Sequence, residues 1–124
     1  VTQSSRATVR RILIVEDEWL IADLLEHVLV DAGFGISGQV GRVKDALALI
    51  EVAEFDGALL DVRLNGELSF PIARRLIERN IPFLFLTGHI TADVPDEFRR
   101  QIFLKKPVGV DALIAHVNAL FEAP

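Results

Sequence analysis

The chain has 124 residues, enough for one domain of common size whose core needs no covalent staple. It contains no cysteine, which excludes a disulfide framework or a thiolate metal site, and its 51% hydrophobic content argues for a packed core rather than disorder. A net charge of -5 argues against a nonspecific nucleic-acid surface, which needs a basic face, and no apolar run approaches the length of a membrane span.

Residues 1–10, VTQSSRATVR, are polar and mildly basic and lack the apolar core of a secretion signal. They are expected to form a flexible leader, with the domain occupying residues 11–122. Residues 12–15 are a continuous apolar run, as a strand buried on both faces requires. Leu20, Ile21, Leu24, Leu25, Val28 and Leu29 then recur every three or four residues, which predicts one face of a helix, ended by Gly33. Residues 34–40 predict a weaker second strand, and Val43, Ala46, Leu47 and Ile50 a second helix. Residues 57–60 predict the third strand and residues 62–68 a polar loop. Ser69 is a candidate cap for a third helix, with Pro71 in its first turn and Ala73, Leu76 and Ile77 on its apolar face. Pro82 opens a fourth strand, 83–86. From Pro95, Asp96 and Glu97 followed by Arg99 and Arg100 match the dipole of a short helix. A fifth strand is expected at 101–104, and Leu113, Ile114, Val117, Leu120 and Phe121 mark the last helix.

Five strand–helix units predict an α/β fold: a doubly wound, five-stranded parallel sheet with helices on both faces. Chain order alone leaves the strand order open. The 2-1-3-4-5 arrangement common to this class puts the first and third strands side by side, with ligands bound beyond the carboxyl ends of the strands. Glu16 and Asp17 follow the first strand, Asp61 the third, Thr87 the fourth and Lys106 the fifth, so all five converge there. Clustered carboxylates raise one another's pKa, and a bound Mg²⁺ reverses that penalty. Magnesium prefers oxygen ligands and takes one or two carboxylates plus phosphate. Glu16 and Asp17 suit the metal, while Asp61 suits both the metal and attack on phosphorus. Lys106 and Thr87 offer an ammonium and a hydroxyl to phosphoryl oxygens, and Gly88 lets the backbone approach them. Such chemistry rests mainly on positioning and charge neutralisation.

Taken together, ILIVEDE, LLDVRL, FLFLTGH and FLKKP resemble the receiver domain of bacterial two-component response regulators, over residues 11 to 121. The resemblance implies a flavodoxin-like (βα)5 fold and a Mg²⁺ held by Glu16, Asp17, Asp61 and the main-chain carbonyl of Arg63. It implies that Asp61 accepts a phosphoryl group from the phosphohistidine of a sensor histidine kinase, with Thr87 and Lys106 engaging the product. It further implies a cis Lys106–Pro107 bond, Phe103 as a rotameric switch, and a downstream protein bound around residues 88–104 and the last helix. A cytoplasmic location follows, with no nucleic-acid contact, no membrane insertion and no turnover of a separate substrate.

The chain departs from the family pattern in three places. The usual Met-Pro and Gly after the acceptor are replaced by Arg63-Leu64-Asn65-Gly66-Glu67-Leu68-Ser69-Phe70-Pro71. The segment from Thr87 to Lys106 is short, which predicts a shortened fourth helix. Phe103 lacks the hydroxyl of the more usual Tyr, so a switch there works by packing. The Asn-Gly-Glu loop and the Pro-Phe-Leu-Phe-Leu-Thr-Gly run resemble a subgroup of stand-alone alphaproteobacterial receivers known for a Phe-Ala-Thr-Gly motif, with Leu86 in place of the Ala. Two alternatives stay open: a phosphorylation-independent binding module, or a receiver cut from a longer regulator. A small phosphatase is disfavoured, because Arg63 stands where an acid/base carboxylate would be and stays protonated.

Gly33-Phe34-Gly35-Ile36-Ser37-Gly38 matches the dinucleotide fingerprint, but it follows a helix and enters a strand, the reverse of the required context. His27 and His116 read as surface residues, and His89 as either a tuner of phosphate lifetime or a plain loop residue. Trp19, beside the acidic cluster, reads as a cap contact or a fluorescent reporter of metal.

Overall fold

A computed structural model describes residues 9–88 and 94–122. Along the chain run β1 (Arg11–Val15), α1 (Trp19–Asp31), β2 (Gly35–Val40), α2 (Val43–Val52), β3 (Gly57–Asp61), β4 (Arg63–Leu64), β5 (Glu67–Leu68), α3 (Phe70–Glu78), β6 (Phe83–Thr87), a 3-10 turn (Asp96–Phe98), β7 (Phe103–Lys105) and α4 (Val110–Leu120). The five long-range strands pair in parallel in the order β2-β1-β3-β6-β7, the expected 2-1-3-4-5 arrangement, and β4 with β5 forms a separate antiparallel hairpin. No helix among the described residues is long and apolar enough to cross a membrane.

The continuous apolar runs are explained by burial on both faces of the sheet. Side chains alternate across it with a period of two. Leu13, Val15, Ala58, Leu60, Phe83 and Phe85 face α2 and α3, while Ile12, Ile14, Leu59, Leu84 and Leu86 face α1 and α4. The ends of two helices are also set by local chemistry. Gly33 at φ 98° closes α1: its N–H bonds to Val30 O and the Phe34 N–H to Leu29 O, each at 3.0 Å. Asn80 at φ 57° closes α3 the same way, through Ile77 O and Leu76 O. Both are left-handed caps that feed the chain directly into the next strand.

The structure corrects several expectations. Within the polar loop expected at 62–68, residues 63–68 form a two-stranded hairpin. Among the described residues the short fourth helix is a single 3-10 turn, and the fifth strand begins at Phe103 rather than at Gln101. Ser69 occupies the N-cap of α3, but its side chain makes no cap bond and its hydroxyl is buried without a partner. Only part of the apolar stripe on α1 is covered: Leu25 and Leu29 are buried, whereas Leu20 and Leu24 are 67% and 63% exposed. On α3, Ile77 is exposed and Ile72 takes its place in the core. His27 and His116 lie on the surface, and His89 lies outside the described residues. The G-x-G-x-x-G stretch joins α1 to β2, with no helix following it in phosphate-binding register.

Candidate functional site

The carboxyl ends of β1, β3, β6 and β7 surround one cavity of about 240 Å³, and Asp17, Asp61, Arg63, Thr87, Gly88 and Lys106 line it. Strand register explains the convergence. Val15 pairs with Leu60, Asp61 with Leu86, and Thr87 with Lys105, so the residues that end these strands stand at one rim. Asp61 is itself the last residue of β3 and is buried to 6% exposure, while Thr87 closes β6 half-buried. The Lys106–Pro107 peptide bond is cis.

Lys106 is the electrostatic centre. Its Nζ donates to Asp61 Oδ2 at 2.8 Å and lies 2.5 Å from Glu16 Oε1 as an ion pair. Burial tends to lower the Lys106 pKa, but its bonds to Asp61 and Glu16 outweigh that and raise it, so the ammonium stays charged. Glu16 is nearly fully buried beneath the cavity. Loss of solvent pushes its carboxyl up to about 7, and the Asp61 charge adds to the rise. The Lys106 ammonium and the Glu18 N–H, which donates to Glu16 Oε2 at 3.1 Å, only partly offset it. A buried acid raised by loss of solvent, beside an ammonium and a second carboxylate at one cavity, marks a candidate functional site.

The oxygen donors fit Mg²⁺. Glu16, Asp17 and Glu18 each offer a carboxylate oxygen within 4.8 Å of the others, and the Lys106 ammonium pairs with Glu16 and Asp61. The set is all oxygen and anionic, which suits a hard divalent ion that keeps part of its water shell. Glu18 was not foreseen in this cluster, although the acidic run Glu16-Asp17-Glu18 was visible in the sequence.

Asn65 was also missed. Its main-chain N–H donates to Asp17 Oδ2 at 2.9 Å, and its side-chain amide donates to Gly41 O at 3.2 Å. The Asn-Gly dipeptide flanked by Leu64 and Leu68 is a hairpin signal that could have revealed it. Phe103 sits apart from the cavity on the α2–α3 side of the sheet, half-buried and stacked on Phe85 with ring centres 4.7 Å apart. Trp19 opens α1 and is 69% exposed, so it packs little and remains available as a reporter.

The description "response regulator receiver domain" matches residues 12–118. The transcriptional regulatory protein PdtaR of Mycobacterium tuberculosis is 30% identical over 121 residues; these cover 94% of this chain and 59% of that protein, so the chain spans well under two-thirds of this relative. The solution structure of SdrG from Sphingomonas melonis Fr1 is 42% identical with a TM-score of 0.81, covering 92% of this chain and 98% of that one. The BeF3-activated conformation of SdrG, from Pseudomonas melonis Fr1, is 41% identical with a TM-score of 0.77, covering 90% and 96%.

Proposed function

This chain belongs to the response regulator receiver domain family, and on that premise we propose that Asp61 accepts a phosphoryl group from a histidine kinase. The observation that carries the reading is the Lys106 ammonium bonded to Asp61 Oδ2 in a cavity that Asp17 and Thr87 share. An Asp61 carboxylate oxygen attacks phosphorus. A P–O bond forms as the P–N bond of the donor phosphohistidine breaks, and the imidazole leaves with the electron pair. A bound Mg²⁺ would neutralise the nucleophile and the phosphoryl oxygens as they approach, and Glu16, Asp17, Asp61 and the Arg63 carbonyl would hold it.

The residues of the chain do the rest. Lys106, now on Asp61, transfers its bond to a phosphoryl oxygen, and the Thr87 hydroxyl and Gly88 backbone close on the others. That inward pull biases Phe103, which has only packing to hold it, and alters the face around residues 94–104 and α4 that a downstream protein reads. SdrG takes an activated conformation with BeF3, a tetrahedral mimic of a phosphoryl group, and this supports the same response here. The donor also needs a seat. An apolar groove of about 340 Å³ between α1 and the Lys106–Val108 segment shares Glu18 and Lys106 with the phosphoryl cavity, and exposed Leu24 lines it. The proposed unit is residues 11–122, with 1–10 as a leader, acting in the cytoplasm as a signalling module that turns over no separate substrate.

Incubation with acetyl phosphate and Mg²⁺, followed by intact mass, tests this. One phosphoryl group is expected on the wild type and none on Asp61→Ala. An unmodified wild type, under conditions that modify a control receiver, would overturn the reading. A product that persists in Asp61→Ala would move the site elsewhere.

A further inference from the structure

The hairpin that follows the acceptor is tied to the acidic pocket on the other side of the cavity. Arg63 pairs with Leu68 and Leu64 with Glu67, leaving Asn65 and Gly66 as a two-residue tip at φ 50° and 83°. Both tip residues are left-handed, which is the turn that matches the twist of a tight hairpin. The base is pinned as well: Leu64 is buried in the core, and the Ser69 N–H bonds to Val62 O at 2.9 Å. A rigid arm of this kind holds its tip where the base dictates.

That tip makes two bonds, each to a different loop. The Asn65 N–H donates to Asp17 Oδ2 at 2.9 Å, and the Asn65 side chain donates to Gly41 O at 3.2 Å. Gly41 in turn lies against the acidic loop: a Cβ there would stand 3.1 Å from Asp17 Cα and 3.3 Å from Glu16 O. Three loops are thereby closed around one carboxylate. An amide that engages one Asp17 oxygen restricts how the carboxylate can turn. The same arm carries Asp61 two residues before its first strand pair and the Arg63 carbonyl within it, so their spacing to Asp17 is set by one unit.

We infer that Asn65 is a positioning residue, whose main-chain amide, presented by the Asn-Gly hairpin, orients Asp17 and sets the affinity of the pocket for a divalent cation. The inference rests on the reading that this pocket takes Mg²⁺. Outer partners that orient metal ligands typically contribute about 10–100-fold in affinity. The lower end applies here, because the bond is made by backbone at an exposed tip.

The test is Mg²⁺ titration, followed by Trp19 fluorescence and amide NMR, on the wild type, Asn65→Ala, Asn65→Gly and Gly66→Ala. In the wild type the Asn65 amide is expected to exchange slowly with solvent despite the exposure of the residue. Asn65→Ala and Gly66→Ala strain the left-handed tip, and each should lose that protection and weaken Mg²⁺ binding about tenfold. Asn65→Gly keeps the turn and the amide while losing only the Gly41 tether, so its affinity should lie closer to the wild type. If Gly66→Ala fails to fold, Asn65→Ala and Asn65→Gly still make the comparison. Unchanged affinity in a folded Asn65→Ala that has lost amide protection overturns the inference, as does fast exchange of the Asn65 amide in the wild type. Absence of any saturable Mg²⁺ site in the wild type overturns the reading beneath it instead.

Discussion

In the pocket three carboxylates are tied by polar contacts: Asp17 to the Asn65 amide, Glu16 to the Glu18 amide and Lys106, Asp61 to Lys106. On the α2–α3 face of the sheet, apart from the pocket, the packing is aromatic. Phe70, Phe83, Phe85, Phe98 and Phe103 pack ring on ring, with neighbouring centres 4.7 to 5.9 Å apart. A hydrogen bond fails steeply with angle, so the acidic side holds one arrangement. Ring contacts are held instead by shape and by the preference for offset-stacked or edge-to-face packing. Phe103 lies half-buried at the outer edge of that cluster and carries no hydroxyl.

The largest expected effect breaks the aromatic half. Phe98→Ala empties a fully buried position between Phe70 and Phe85 and should cost about 3–5 kcal/mol in urea unfolding. Such a loss should leave Mg²⁺ binding by the surviving folded fraction unchanged, and a parallel loss of metal affinity would show that the two halves are not separable.

Next comes the acidic half, through pH. Glu16 has a usual pKa of 4.5, raised by burial to about 7 in the folded chain. The folded state therefore binds a proton that the unfolded state has released, and metal-free stability falls as pH rises from about 4.5 to about 7. Glu16→Gln removes that penalty and should make the metal-free protein roughly 1–3 kcal/mol more stable at pH 8, with little effect near pH 4. The measurement is the denaturant midpoint in the presence of a chelator. A mutant that tracks the wild type across this range would mean that Glu16 is not buried as described.

The same proton competes with metal. Mg²⁺ affinity should rise by up to about tenfold per pH unit below about 7 and level off above it, with one proton released on binding. Calorimetry in buffers of different ionisation enthalpy reads that proton directly, and a flat profile from pH 6 to 8 contradicts Glu16 as a ligand.

Two smaller changes sharpen the aromatic side. Phe103→Leu should cost only about 1 kcal/mol, since the ring is half-exposed, yet it should alter which NMR resonances around residues 94–104 respond to BeF3. Arg74→Ala removes an exposed pair with Glu97 and a cation over the Phe98 ring 5.5 Å away, and should cost about 0.5 kcal/mol. A markedly larger loss would show that the 3-10 turn depends on this pair.

Much of this was legible before any coordinates. The double-faced apolar runs announced buried parallel strands, because a strand covered on both sides leaves no polar position. The residues ending those runs announced the site, because doubly wound sheets gather strand ends at one rim. What escaped were features whose meaning depends on a distant neighbour. Leu24 belongs to the same stripe as Leu25, but only the helices actually packed beside α1 decide which of them is covered. Leu64-Asn65-Gly66 carries a local turn signal within a loop that departs from the usual Met-Pro pattern. That the tip would meet Asp17, 48 residues away, is not written in the turn itself.

The sequence by itself determined the succession of strands and helices along the chain, the stop at Gly33, and the identity of the acid, hydroxyl and ammonium groups, since each depends on nearby backbone and on apolar period. The tertiary structure decided how far Glu16 is buried and hence how acidic it is, which leucines of α1 face water, and which amide grips Asp17. Those outcomes depend on solvent exclusion and on contacts between segments far apart in the chain, and a one-dimensional pattern contains neither.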